Sequence, residues 1–202
     1  MLAAAILAGG QASRLGGRPK ALLPLGEGRI IDHQLAALGR VADQLFIVAN
    51  EPALYAEFGL PVVGDRVTGA GAIGGLHAAL SASQAPRTLV VACDLPFITE
   101  AFARALAMAG VGVDVAVPRT PDGLHPLCAC WASTAVPVLE RQMAASRRRV
   151  IDALAALHVR ELTPEEVAGF DPDGRLLFNV NTPDEYARAL QMMDRTDRRE
   201  RP

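Results

Sequence analysis

The feature that most restricts the fold of this chain is a set of short apolar runs that alternate with segments of helical period. AAAIL (3–7), LFIVAN (45–50) and TLVVACD (88–94) are strand-length, and Leu89-Val90-Val91-Ala92 is apolar at every position. Such strands are covered on both faces, as central parallel strands are. Between and after them, IIDHQLAAL (30–38), GGLHAAL (74–80) and AFARALAMA (101–109) repeat apolar residues at helical spacing. Strand, helix, strand, helix builds βαβ units, and stacking them predicts an α/β chain, a three-layer α/β/α sandwich on a mostly parallel sheet.

Further along, VDVAVP (113–118) and PLCACW (126–131) flank RTPDGLH, whose Pro, Asp and Gly mark a turn, so the pair is expected to form a hairpin or an antiparallel excursion. Thr134–Met143 and Val150–Leu157 read as helices and LLFNVN (176–181) as a late strand. Pro183–Met193 reads as a last helix capped by Thr182. Residues 1–193 are expected to be one domain, with 194–202, mostly charge and Pro, a disordered, solvated tail.

Composition removes several classes of function. At 202 residues, 50% apolar and 21% charged, the chain has material for a core and no stretch of the length a membrane helix needs. Twenty basic against 22 acidic residues leave a net charge of −2, so no global positive field would hold nucleic acid or an anionic membrane. Three cysteines are an odd number that disfavours a disulfide framework and suits a reducing compartment. Met1–Leu7 is too short for a signal-peptide core and lacks a preceding positive segment, so a cytoplasmic location is expected. Cys128-x-Cys130 has no second ligand pair and reads as strand residues, not zinc ligands. Trp131 is expected on the sheet.

Chemistry concentrates in three places. LAGGQASRLGGRPKALL (7–23) puts two Gly pairs, Arg14 and Lys20 in the loop after the first strand, where glycine-freed backbone N–H groups and cations can meet phosphate oxygens. The loop is not of the G-x-x-x-x-G-K-[ST] type, because Lys20 follows Pro19 and precedes Ala21. TLVVACDLPF (88–97) ends a buried strand in Asp94, a hard oxygen ligand that suits Mg²⁺ at the sheet's carboxyl edge. Asp65, in Gly64-Asp65, reaches the same cleft or caps a turn. GAGAIG (69–74) matches G-x-G-x-x-G, with Asp94 twenty residues beyond Gly74. An NAD-dependent oxidoreductase using Gly69, Gly71 and Gly74 is therefore the rival class, although Asp65 to Thr68 separate the apolar run ending at Val63 from Gly69.

Taken together, LAGGQASRLGGRPK, GD (64–65), GAIGGL (71–76), CDLPF (93–97), HP (125–126), RRV (148–150) and NVNTPDE (179–185) make the chain similar to the molybdenum cofactor guanylyltransferase family. The match runs in order over nearly the whole chain. The first loop and the C-D-x-P turn are shared by many Rossmann-like nucleotidyltransferases. The HP and NVNTPDE segments are more specific to the family, and Gly9 favours the guanylyl over the cytidylyl branch. Two positions depart from the pattern: Pro19 stands where the family commonly has Asp, and Val48 where it has the first Asn of N-A-N.

The resemblance implies a nucleotide-diphospho-sugar transferase-like fold and transfer of GMP from GTP to the terminal phosphate of molybdenum-bound molybdopterin, with release of pyrophosphate. It also implies Mg²⁺ on Asp94 with Asp65 nearby, and the triphosphate on the backbone of Leu7, Ala8, Gly9 and Gly10 with Lys20 and Arg14. Gly74 falls on the nucleotide side, and Asn50 or backbone groups take over base recognition from Val48. His125, Arg148, Arg149, Asn179 and Asn181 are its candidates for the pterin phosphate. Arg147-Arg148-Arg149 as a solvated helix face, and His125 as a turn residue before Pro126, stay open. Partners would be GTP, molybdopterin and, further out, chaperones of molybdoenzymes. The alternatives within the class are CMP transfer to molybdopterin and nucleotidyl transfer to another small molecule.

Overall fold

The apolar opening of the chain becomes the middle of a sheet. A computed structural model describes residues 1–9, 18–65, 67 and 69–200, with side chains described as far as residue 194. In chain order the elements are β1 (Ala3–Leu7), β2 (Pro24–Leu25), β3 (Gly28–Arg29), α1 (Ile30–Leu38), β4 (Gln44–Val48), β5 (Val62–Val63), α2 (Ala72–Ala82), β6 (Arg87–Ala92) and α3 (Glu100–Ala109). They continue as β7 (Val115–Thr120), β8 (Gly123–Leu124), β9 (Cys128–Ala132), α4 (Val136–Ala144), α5 (Val150–Ala153), β10 (Val159–Leu162), α6 (Pro164–Ala168) and α7 (Pro183–Glu200).

The described residues form an eight-stranded sheet in the order β10-β7-β9-β6-β1-β4-β5, with β8 paired to β7. β1 lies parallel to both β4 and β6, in a register that sets Leu7 beside Val48 on one side and Ala92 on the other. The expected excursion is β9, which runs antiparallel between β6 and β7 after the β7–β8 hairpin.

Alternate residues of β1 feed two cores. Ala4 and Ile6 pack with Ile31 and Leu38 of α1 and Phe102 and Leu106 of α3. Ala3 and Ala5 face the other way, toward Ile73 and Leu76 of α2 and Leu139 of α4. The three-layer expectation therefore holds. Trp131 of β9 is 0% exposed in the second core, and its indole N–H donates to the Pro126 carbonyl at 3.0 Å. Trp131→Ala is expected to cost about 3–5 kcal/mol, as large-to-small changes of buried aromatics do, measurable by urea unfolding.

Several boundaries follow from side-chain caps. Thr99 Oγ1 accepts the Phe102 N–H at the start of α3. Thr182 Oγ1 accepts the Glu185 N–H at the start of α7, while the Glu185 carboxylate accepts the N–H groups of Asn181 and Thr182. This is the cap expected from the sequence. α7 runs on to Glu200, past Met193, since Arg and Glu are good helix formers and charge alone does not end a helix.

One element is corrected: LLFNVN (176–181) is not a strand. Phe178 N–H closes a turn onto the Arg175 carbonyl and Val180 N–H bonds the Asp94 carbonyl, so the segment crosses the end of the sheet without joining it. Leu176 and Leu177 join the core that holds Ile6 and Phe102, while Val180 is buried with Phe97 and Ala189 of α7. Among the described residues no helix is long and apolar enough to cross a membrane.

Candidate active site

β1, β4 and β6 all end at one edge, the carboxyl edge at which parallel sheets bind ligands. A cleft of about 260 Å³ opens there, bordered by Leu7, Gly9, Lys20, Asp65, Gly71 and Asp94. The chain leaves β1 in a fixed direction, because Ala8 donates its N–H to the Val48 carbonyl at 2.8 Å and its carbonyl accepts the Tyr55 hydroxyl at 3.1 Å. Beyond Gly9, Gly10 and Arg14 lie outside the described residues. Lys20 begins a short 3-10 turn, and its Nζ donates to Asn181 Oδ1 at 2.6 Å, reaching across to the segment before α7.

Asp94 sits at the end of β6, in a turn closed by the Leu95 N–H on the Ala92 carbonyl. Burial holds its carboxyl above the usual carboxylate range; Lys20 and its own backbone N–H oppose the shift, and Glu185 adds to it. Among the described residues no cation forms an ion pair with it. Its neighbour Cys93 is pushed up to about 12 by burial, so at neutral pH it is a packed thiol and not a nucleophile.

Asp65 faces the same cleft and is held by Asn50. The Asn50 Oδ1 accepts the Asp65 N–H at 2.8 Å, and its Nδ2 lies 3.4 Å from the Asp65 carboxylate. The Asn50 amide, expected together with backbone groups to meet the base, here orients the Asp65 carboxylate. Val48 borders the cleft with an apolar side chain.

The third wall is the start of α2. Gly71 caps that helix at φ 68°, a left-handed value that favours glycine. Gly74 is buried beneath the wall: a Cβ there would stand 2.7 Å from Ala70 Cβ. Gly75, one residue on, is the one that borders the cleft, together with Ala72. A dinucleotide fingerprint would need its first glycine at the end of a central strand. Here β5 is the edge strand and ends at Val63, well before Gly69, so the oxidoreductase alternative loses its geometry.

A second cleft of about 390 Å³ adjoins the first and shares Asp94, Ala72, Ala92 and Leu127 with it. His125, Arg148, Arg149 and Asn179 border this second space, while Asn181 borders neither cleft and is bonded to Lys20. His125 is bonded to Thr120 Oγ1 at 2.8 Å, and burial pushes its pKa below the usual histidine value, with Asp122 partly opposing. It is therefore a neutral hydrogen-bonding group at neutral pH, and the positive charge of this cleft comes from the two arginines. Arg148 donates to the Gly69 carbonyl in the loop before α2, and Asn179 Nδ2 donates to the Leu177 carbonyl at 3.3 Å.

Asp94 and Asp65 supply two carboxylates to one cleft, and among the described residues no group of three or more His, Cys, Asp or Glu could hold a metal. That donor set fits a hard divalent cation whose remaining ligands are water and substrate oxygens, the way Mg²⁺ is commonly held.

Residues 4–160 match the family model of the MobA-like NTP transferase domain. The chain belongs to the MobA-like NTP transferase family. Among relatives of this family, the protein named "Probable molybdenum cofactor guanylyltransferase" of Carboxydothermus hydrogenoformans is 35% identical over 95% of this chain and 96% of its own. The crystal structure of molybdopterin-guanine dinucleotide biosynthesis protein A from Archaeoglobus fulgidus superposes with a TM-score of 0.84 at 28% identity, covering 96% of this chain and 100% of that one. A manganese complex of a Mycobacterium tuberculosis protein has the same fold, with a TM-score of 0.66 at 23% identity over 94% of this chain and 98% of its own.

Proposed function

We propose that this MobA-like transferase moves GMP from GTP to the terminal phosphate of molybdenum-bound molybdopterin and releases pyrophosphate. The observation that carries the reading is the meeting of two clefts at Asp94, one with the Gly9 backbone and Lys20, the other with Arg148 and Arg149. The relatives' names supply the substrates. In this reading GTP lies in the first cleft, its triphosphate against Leu7–Gly9 and Lys20, with Gly10 and Arg14 of the same loop as further candidates. The acceptor's phosphate lies in the second cleft, on Arg148 and Arg149, with His125 and Asn179 as neutral donors.

The reaction asks little of acids and bases, since an acceptor phosphate oxygen is already anionic. That oxygen forms a bond to the α-phosphorus in line as the bond to the bridging oxygen of the β-phosphate breaks, and the electron pair leaves with pyrophosphate. Lys20 neutralises charge as it develops on the leaving group, the arginines hold the attacking phosphate, and the backbone beyond β1 fixes the α- and β-phosphates. A divalent cation, Mg²⁺ in this proposal, would be held by Asp94 with Asp65 and would supply further charge neutralisation on the phosphates.

With Mg²⁺ present, GTP at 100 times its dissociation constant is expected to raise the unfolding free energy by about 2.7 kcal/mol, with CTP, ATP and NAD⁺ giving smaller shifts at the same concentration. Calorimetry and thermal unfolding with each nucleotide make the comparison, and dinucleotide formation from molybdopterin completes it. A preference for CTP would move the assignment to cytidylyl transfer.

A further inference from the structure

The turn that carries Asp94 is pinned through most of its backbone. Cys93 donates its N–H to the Leu7 carbonyl at 3.1 Å, Leu95 donates to the Ala92 carbonyl at 3.2 Å, and the Asp94 carbonyl accepts the Val180 N–H at 2.8 Å. A side chain from another element joins them. Gln34, on α1 and 0% exposed, donates from Nε2 to the Ala92 carbonyl at 2.8 Å and to the Leu95 carbonyl at 2.9 Å. Those two carbonyls bracket Cys93 and Asp94. An amide nitrogen has two N–H groups, so Gln34 commits both donors to a single turn.

Its Oε1 is also buried and has no hydrogen-bond partner among the described residues. An unpaired buried amide oxygen is unfavourable, and an apolar side chain of similar length would fill the same space without that cost. Packing alone therefore does not account for glutamine at this position, whereas the two donated hydrogen bonds do.

We infer that Gln34 is a positioning residue for nucleotidyl transfer: its amide holds the Ala92–Leu95 turn in the shape that presents the Asp94 carboxylate to the cleft. The inference rests on the reading of Asp94 as a carboxylate that holds the divalent cation. Groups that orient a metal ligand typically change metal affinity by about 10- to 100-fold when removed.

The test is Mn²⁺ binding by the full chain in the presence of GTP, followed by the electron paramagnetic resonance of free Mn²⁺, beside GTP binding without metal. Gln34→Met keeps length and apolar volume but has no donor. It is expected to weaken Mn²⁺ binding by at least about 10-fold while metal-free GTP binding stays as in the native chain. Gln34→Asn keeps the amide on a stem too short to reach both carbonyls; it is expected to weaken Mn²⁺ binding too, and it carries the test if Gln34→Met does not fold. Native Mn²⁺ affinity in a folded variant, with only a lower melting temperature, would show Gln34 to be structural and overturn the inference. Asp94→Asn, measured alongside, separates the two readings: if it too retains Mn²⁺, the assignment of Asp94 fails; if it alone loses Mn²⁺, only the role of Gln34 fails.

Discussion

Asp94→Asn should lose about 10²- to 10³-fold in turnover, the effect of removing one preorganised charge, and yet melt at a higher temperature than the native chain when no metal or nucleotide is present. The two effects share a cause. Burial raises the Asp94 carboxyl above its ordinary value of 3.8, so the folded chain takes up that proton more readily than the unfolded one. As pH rises through 3.8 toward the raised folded value, this group costs the fold stability, and the cost is complete once pH passes the folded value. Asparagine keeps the shape and removes the charge. Melting curves from acid to neutral pH check the sign: variant and native chain should converge below 3.8 and diverge above it. A variant that melts lower at neutral pH would mean that the carboxylate is well solvated or paired, and the burial argument would fall. Turnover of the native chain should decline on acidification through that same window, because only the carboxylate form can hold a cation.

Replacing Lys20 with Met should cost a comparable 10²- to 10³-fold in turnover while leaving circular dichroism unchanged, since among the described residues the ammonium's hydrogen bond is to the exposed Asn181. Lys20→Arg should recover little. The lysine presents a compact charge on a flexible stem, whereas a guanidinium is planar, larger and directional. Steady-state kinetics with GTP varied would carry the test. A Lys20→Met enzyme retaining more than about a tenth of native turnover would take Lys20 out of the triphosphate site, because that loss is far below what a preorganised charge contributes.

Much of the scaffold could be read from apolar pattern because buried parallel strands and amphipathic helices have distinct periods. AAAIL, TLVVA and IIDHQLAAL lie where their periodicity put them. LLFNVN misled because an apolar run shows that a segment is buried, not which groups take its backbone hydrogen bonds; here the Val180 N–H goes to the Asp94 carbonyl. VREL (159–162) went unread because a short edge strand with exposed Arg160 carries little apolar signal. At the site, Lys20, Asp65 and Asp94 were legible as charged residues after strands. Gly75 was not, because one residue along a helix turns a side chain by about 100°, and motif spacing does not say which of two adjacent glycines faces the cleft. Asn50 was legible as polar but not as engaged, since its partner Asp65 lies in a separate loop. Gln34 left no mark at all: a glutamine inside an amphipathic helix reads as a surface residue until the carbonyls of another element are seen beside it.

The reversed strand β9 also bears on how such an enzyme can diversify. Running against its neighbours, β9 begins where they end, so the residues that lead into it, His125 to Leu127, arrive beside Asp94 from the β7–β8 hairpin. The first cleft draws nearly all of its lining from the first hundred residues, whereas part of the second follows a hairpin whose exposed tip is Pro121-Asp122. Pro121 and Asp122 border a separate cleft with Arg119 and His125, so a longer tip would reshape that cleft while every strand kept its register. The surface around His125 can thus vary while the cleft at the end of β1 keeps its shape.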